Sequence, residues 1–140
     1  MRPATKSILD RLISTLLHLP YIFGGNNPSD GLDCSGLIVE LLLSVGTLPP
    51  GFDSTAQGLF AKFGAFEPGQ VEFGDLVFFG GSDKTITHVG FCLGDGFMLE
   101  AGGGSRKCVS RQDGINANAR VRIRPIVSRK DVIGYRRPTY

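Results

Sequence analysis

Apolar positions in the first part of the chain recur with helical spacing. Ile8, Leu9, Leu12, Ile13, Leu16 and Leu17 form one broad stripe, which predicts an amphipathic helix over residues 3–18 that Pro20 terminates. Residues 34–45, CSGLIVELLLSV, are apolar nearly all round. A helix of that kind is buried on every side, so a central core helix is expected, closed by Gly46. Between the two, Gly24-Gly25, Asn26-Asn27-Pro28 and Asp30-Gly31 signal a loop. Pro49-Pro50-Gly51 breaks the chain, and Asp53 or Ser54 can cap a short helix over residues 55–63.

The period then changes. Leu76–Phe79, His88–Leu93 and Phe97–Ala101 are short apolar runs between glycine-bearing turns, and Gly94-Asp95-Gly96 is a hairpin signal. Arg120–Pro125 alternates basic and apolar residues with period two, and Val132–Tyr135 is a further strand candidate. Helices first and an antiparallel meander afterwards predict an α+β fold, with N-terminal helices and a central buried helix packed on a sheet of five to six strands. The length of 140 residues suits one domain, residues 1–140, with a real core.

Composition narrows the class. An apolar share of 41% and a charged share of 20% exclude a disordered chain. The N-terminus is interrupted by Asp10 and Arg11 and does not read as a secretory signal, and the longest apolar run is too short for a membrane span. Synthesis in the cytoplasm is therefore expected. Cys34, Cys92 and Cys108 form neither a disulfide framework nor a zinc motif, so reduced thiols and no metal are expected. Charge is uneven: residues 1–100 hold 5 Lys/Arg against 11 Asp/Glu, and residues 101–140 hold 10 against 2. The basic part would attract polyanions or carboxylate-bearing ligands, unless Arg120, Arg122 and Arg124 only form the wet face of a strand.

Candidate chemistry centres on Cys34, at the first turn of the core helix. A helix N-terminus and a nearby imidazole both favour the thiolate that makes cysteine a nucleophile. His18 reads as an exposed helix-end residue, so a Cys–His pair must be Cys34–His88. Counting outward from Asp95 places Glu100 opposite Gly90 and diagonal to His88, on the same sheet face. Glu100 can then orient the imidazole, or it can be a strand-end residue facing solvent. Cys92 shares the face of His88 but lies about 13 Å along the strand, and reads as core. The AGGGSR segment is a turn and not a phosphate loop.

YIFGGNNPSDGLDCSGLIVELL, residues 21–42, resembles the nucleophile region of the NlpC family of papain-like cell-wall cysteine peptidases. GDLVFF at 74–79 and THVGFCLGDGFMLEA at 87–101 are similar to its second block, DSTAQGLF at 53–60 to the intervening helix, and VIGYRRP at 132–138 to the end of the domain. The resemblance implies a papain-like fold, with Cys34 as nucleophile and His88 as general base. Glu100 occupies the position of the orienting third residue, where the family often carries histidine. A carboxylate there would favour a thiolate–imidazolium pair at rest. By the same resemblance, Tyr21 would line the site and help the oxyanion, and Asp33 and Ser35 would contact a substrate amine; the implied substrate carries several carboxylates, which the basic tail and Arg106, after the Gly102–Gly104 loop, could meet.

The implied activity is hydrolysis of bacterial peptidoglycan stem peptides, between D-glutamate and the diamino acid, by a monomer that needs no cofactor and binds no nucleic acid. A non-catalytic wall or phage-tail assembly module, and an amidase or acyltransferase with another substrate, are the competing expectations. The expected place of action is the cell wall, reached by phage-type delivery, or cytoplasmic recycling.

Overall fold

The structure, a computed structural model, describes residues 1–140 apart from the side chain of Pro68. Helix α1 (Pro3–Leu16) buries Leu9, Ile13 and Leu16 of the stripe. It stops short of the expected end because His18 adopts a left-handed backbone and its N–H donates to Val121 O at 2.8 Å. Two short strands, β1 (Asn26–Asn27) and β2 (Gly31–Leu32), pair within the loop. Helix α2 (Cys34–Ser44) follows, and Leu37, Ile38, Leu41 and Leu42 on it are fully buried.

Helix α3 (Ala56–Lys62) is capped by Thr55, whose hydroxyl accepts from Gly58 N, rather than by Asp53 or Ser54. Those two are engaged locally: Ser54 N donates to Asp53 Oδ1 and Ser54 Oγ to Thr55 O. Strands β3 (Gly64–Ala65), β4 (Leu76–Ser82), β5 (Thr85–Gly94) and β6 (Phe97–Gly102) come next. The unexpected helix α4 (Arg111–Asn116) precedes β7 (Arg120–Pro125) and β8 (Val132–Arg137). These strands make a six-stranded antiparallel sheet in the order β3-β8-β4-β5-β6-β7.

Strand alternation divides the core. Leu76, Phe78, Val89, Phe91 and Leu99 join α1, α2 and α3 in the main cluster. Val77, Phe79, Cys92, Met98 and Ile126 form a smaller cluster across the sheet, as period-two side chains must. Cys92 is thus a core residue, and Cys108 is buried in the main cluster; all three thiols are free. Among the described residues no helix is long and apolar enough to cross a membrane.

Candidate active site

Helix α2 begins at Cys34 because Asp33 caps it. Asp33 Oδ1 accepts from Gly36 N at 2.7 Å and from Ser35 Oγ at 3.2 Å, while Oδ2 accepts from Gly24 N at 3.0 Å. One carboxylate therefore ties the glycine loop to the helix start. Burial raises the Asp33 pKa against these hydrogen bonds, and Asp53 adds to the rise.

Cys34 opens into a cleft of about 220 Å³ whose walls include Tyr21, His88, Glu100, Arg122 and Arg129. Three elements thus converge: the N-terminus of α2, strands β5 to β7, and the segment before β8. The β5–β6 hairpin sets the histidine's partner. Phe91 pairs with Leu99 and Cys92 with Met98, the register that counting from Asp95 gives. His88 Nε2 and Glu100 Oε1 lie 2.8 Å apart, with the Glu100 side chain 1% exposed. The solvent-facing alternative for Glu100 is thereby removed.

Glu100 is also bound from β7. Its Oε2 accepts from Arg122 Nε at 2.9 Å and from Arg124 Nη1 at 3.4 Å. Burial alone would raise its pKa, but the hydrogen bonds and charges of His88 and Arg122 prevail and hold it at about 2. An ionised carboxylate only accepts, so the imidazole Nε2 carries the proton it donates to Glu100. In the neutral form of the ring Nδ1 is then the nitrogen with a free lone pair.

Burial pushes the Cys34 thiol up to about 11, and the charge of Asp33 adds to this; backbone amides of Val89, Ser35 and Cys34 pull it back only in part. These effects favour the neutral thiol over the thiolate, against the pull of a His88–Glu100 pair towards an ion pair. Burial and the neighbouring Cys34 likewise raise the Tyr21 phenol. Tyr21 fits only because residue 104 is glycine: a Cβ there would collide with the Tyr21 ring.

Asp33 and Ser35 line a second hollow beside the first, with Gly24, Asn26 and Asp53. Arg106 is not among the residues lining the Cys34 cleft; its guanidinium lies 5.9 Å from the Phe23 ring centre. The cations on the cleft wall are instead Arg122 and Arg129. Sequence reasoning weighed Arg122 only as part of a basic strand that either attracts carboxylates or faces water, and it missed Arg129. Arg122 sat in a plain alternating strand pattern, and Arg129 had no local signal at all. Among the described residues no cluster of His, Cys, Asp and Glu has the grouping to hold a metal.

The model of the NlpC/P60 family matches residues 18–124. The chain is 42% identical over 85 residues to the bifunctional muramidase/DL-endopeptidase CwlT of Bacillus subtilis, covering 59% of this chain and 25% of that protein. It is 32% identical over 112 residues to the peptidoglycan endopeptidase RipA of Mycobacterium tuberculosis, covering 71% and 22%. The chain thus spans a quarter or less of the length of these relatives. The crystal structure of an NlpC/P60 family protein from Bacillus cereus superimposes with a TM-score of 0.75 at 25% identity, over 98% of this chain and 41% of that one. The α+β architecture is that of the family's papain-like structures. With the family model matched across the glycine loop before Cys34, the core helix and most of the sheet, this protein belongs to the NlpC/P60 family.

Proposed function

We propose that residues 1–140 form one catalytic domain that hydrolyses amide bonds in peptidoglycan stem peptides, between D-glutamate and the diamino acid, and acts at the cell wall. The observation that carries this reading is the shared cleft, lined both by Cys34 at a helix start and by a histidine whose Nε2 is tied to a buried carboxylate at 2.8 Å. The B. subtilis relative named a DL-endopeptidase supports the choice of bond.

In the proposed reaction, His88 Nδ1 takes the Cys34 proton as Sγ attacks the carbonyl carbon. With burial favouring the thiol, deprotonation accompanies attack. The amide at the start of α2 donates to the oxyanion, and Tyr21 closes the wall beside it. His88 then passes the proton to the leaving nitrogen, which departs as an amine. Water, deprotonated by the same Nδ1, releases the acyl group and restores the thiol. Glu100 keeps the ring in the one tautomer that works. Asp33 and Ser35 would receive a substrate amine in the second hollow.

Incubating the protein and its Cys34→Ser variant with a panel of muropeptides, and reading products by mass spectrometry, tests this. Cleavage at the D-glutamyl bond by the parent only is the expected result. An inert parent across a broad panel would refute the reading.

A further inference from the structure

Arg129 has a geometry that the chemistry above does not use. Its Nε and Nη2 donate to the two oxygens of Asp131 at 2.9 and 2.7 Å, a two-point fork that fixes the guanidinium plane. The same group lies 4.7 Å from the centre of the Phe79 ring, which stacks it from below. Asp131 raises its pKa and so keeps it charged. Nη1, by contrast, donates to nothing among the described residues, and Arg129 forms part of the Cys34 cleft wall. An arginine locked on one edge and open on the other is built to bind an anion.

Local charge agrees. Glu100 is matched by Arg122 and Arg124, and Asp131 by Arg129. On the cleft wall itself Arg122 and Arg129 stand against Glu100, whose oxygens are already engaged by His88 and Arg122, which leaves a cationic excess there.

The strand order fixes the side. β5 lies between β4 and β6, so Phe79 and Glu100 flank His88 from opposite neighbours. The Phe79 and His88 ring centres are 5.6 Å apart, and Arg129 rides on Phe79. His88 hands its proton to the leaving nitrogen, so the flank beyond it receives the leaving residue.

We propose that Arg129 binds a free carboxylate on the leaving-side residue of the substrate. This rests on the endopeptidase reading and sharpens it. The preferred diamino acid is one that keeps a carboxylate at its far end, over lysine, which is the same chain without that group.

The test uses two stem peptides, one with diaminopimelate and one with lysine at that position, mixed in one tube. Product amounts give the ratio of kcat/KM directly, and loss of enzyme concentration or partial unfolding cancels in it. The parent is expected to favour the diaminopimelate peptide about tenfold or more, the worth of a charge-assisted contact. Arg129→Gln should bring the ratio close to one, and Arg129→Lys, which keeps charge without the fork, should fall between. Equal use of both peptides by the parent, or an undiminished preference in Arg129→Gln, overturns the assignment. Should the glutamine variant fail to fold, the lysine variant and the parent ratio decide. Calorimetric titration of both peptides into Cys34→Ala separates the two proposals. A binding preference without cleavage by the parent removes the endopeptidase reading and leaves the carboxylate site standing; no binding preference removes the site.

Discussion

Glu100 stands directly across from Arg122 in the pairing of β6 with β7, and the two side chains meet at 2.9 Å. The same carboxylate holds His88 through its other oxygen. A strand register thus builds a three-residue chain from the cleft to the sheet edge.

That chain predicts a graded loss of activity. Glu100→Ala removes both the charge and the acceptor and is expected to lower kcat about 10²-fold, the usual worth of an acid–base group held in place. Glu100→Gln keeps an acceptor and should lose less, though at least about tenfold, because its amide can present the wrong face to Nε2. Steady-state rates on a stem peptide check both, and a fully active glutamine variant would rule out the charge as part of the device.

Acid should weaken the fold through the same residue. The Glu100 carboxyl sits at about 2 in the folded protein against 4.5 ordinarily. A depressed folded value means stability that is complete above 4.5 and disappears as pH falls from there towards 2. The contribution is on the order of 3 kcal/mol. Urea midpoints measured from pH 6 to pH 2 should fall more steeply for the parent than for Glu100→Gln, and parallel curves would contradict the assignment.

Arg122→Met leaves Glu100 Oε2 with only the longer Arg124 contact and should cost about 2 kcal/mol of stability, the worth of a hydrogen bond to a charged group. In combination with Glu100→Gln the losses should fall short of additive, since both remove one ion pair. A double-mutant cycle with a coupling near zero would show that the pair does not act as a unit.

Cys34 makes a separate prediction. With its thiol pushed up to about 11, alkylation by iodoacetamide should be slow at pH 7 and rise about tenfold per pH unit up to pH 10. Mass spectrometry of the Cys34 peptide reads the rate. A rate already flat near pH 6 would mean that a thiolate is present at rest.

Gly104→Ala should push Tyr21 out of the cleft wall, costing roughly 1–3 kcal/mol by overpacking and lowering activity. Gly64→Ala, where a Cβ meets nothing within 4 Å, is the matched control. Equal melting temperatures for the two variants would contradict the packing argument.

Legibility of the sequence followed locality. The β5–β6 register was readable because Gly94-Asp95-Gly96 makes a tight turn, and everything near it can be counted from Asp95. The core helix was readable because its apolar positions surround it. Helix α4 was not: RQDGIN has no apolar stripe, and its start rests on a capping box between Ser110 and Asp113. That Ser-x-x-Asp spacing was a signal that went unused. The partners of Glu100 were hidden for a different reason. A basic residue every second position looks like a solvated face until the neighbouring strand is known to carry a buried carboxylate. Arg129 depends on Asp131, Phe79 and a strand order that no local pattern encodes.

The Asp33 cap has an evolutionary consequence. One of its oxygens secures the first turn behind Cys34 and the other anchors Gly24 in the neighbouring hollow. A mutation there cannot reshape that hollow while sparing the helix start at Cys34, because both hang from a single side chain. Diversification among descendants of this chain should therefore run through the Asn26–Asp53 pair and Arg129, which lie off that side chain, while position 33 stays frozen.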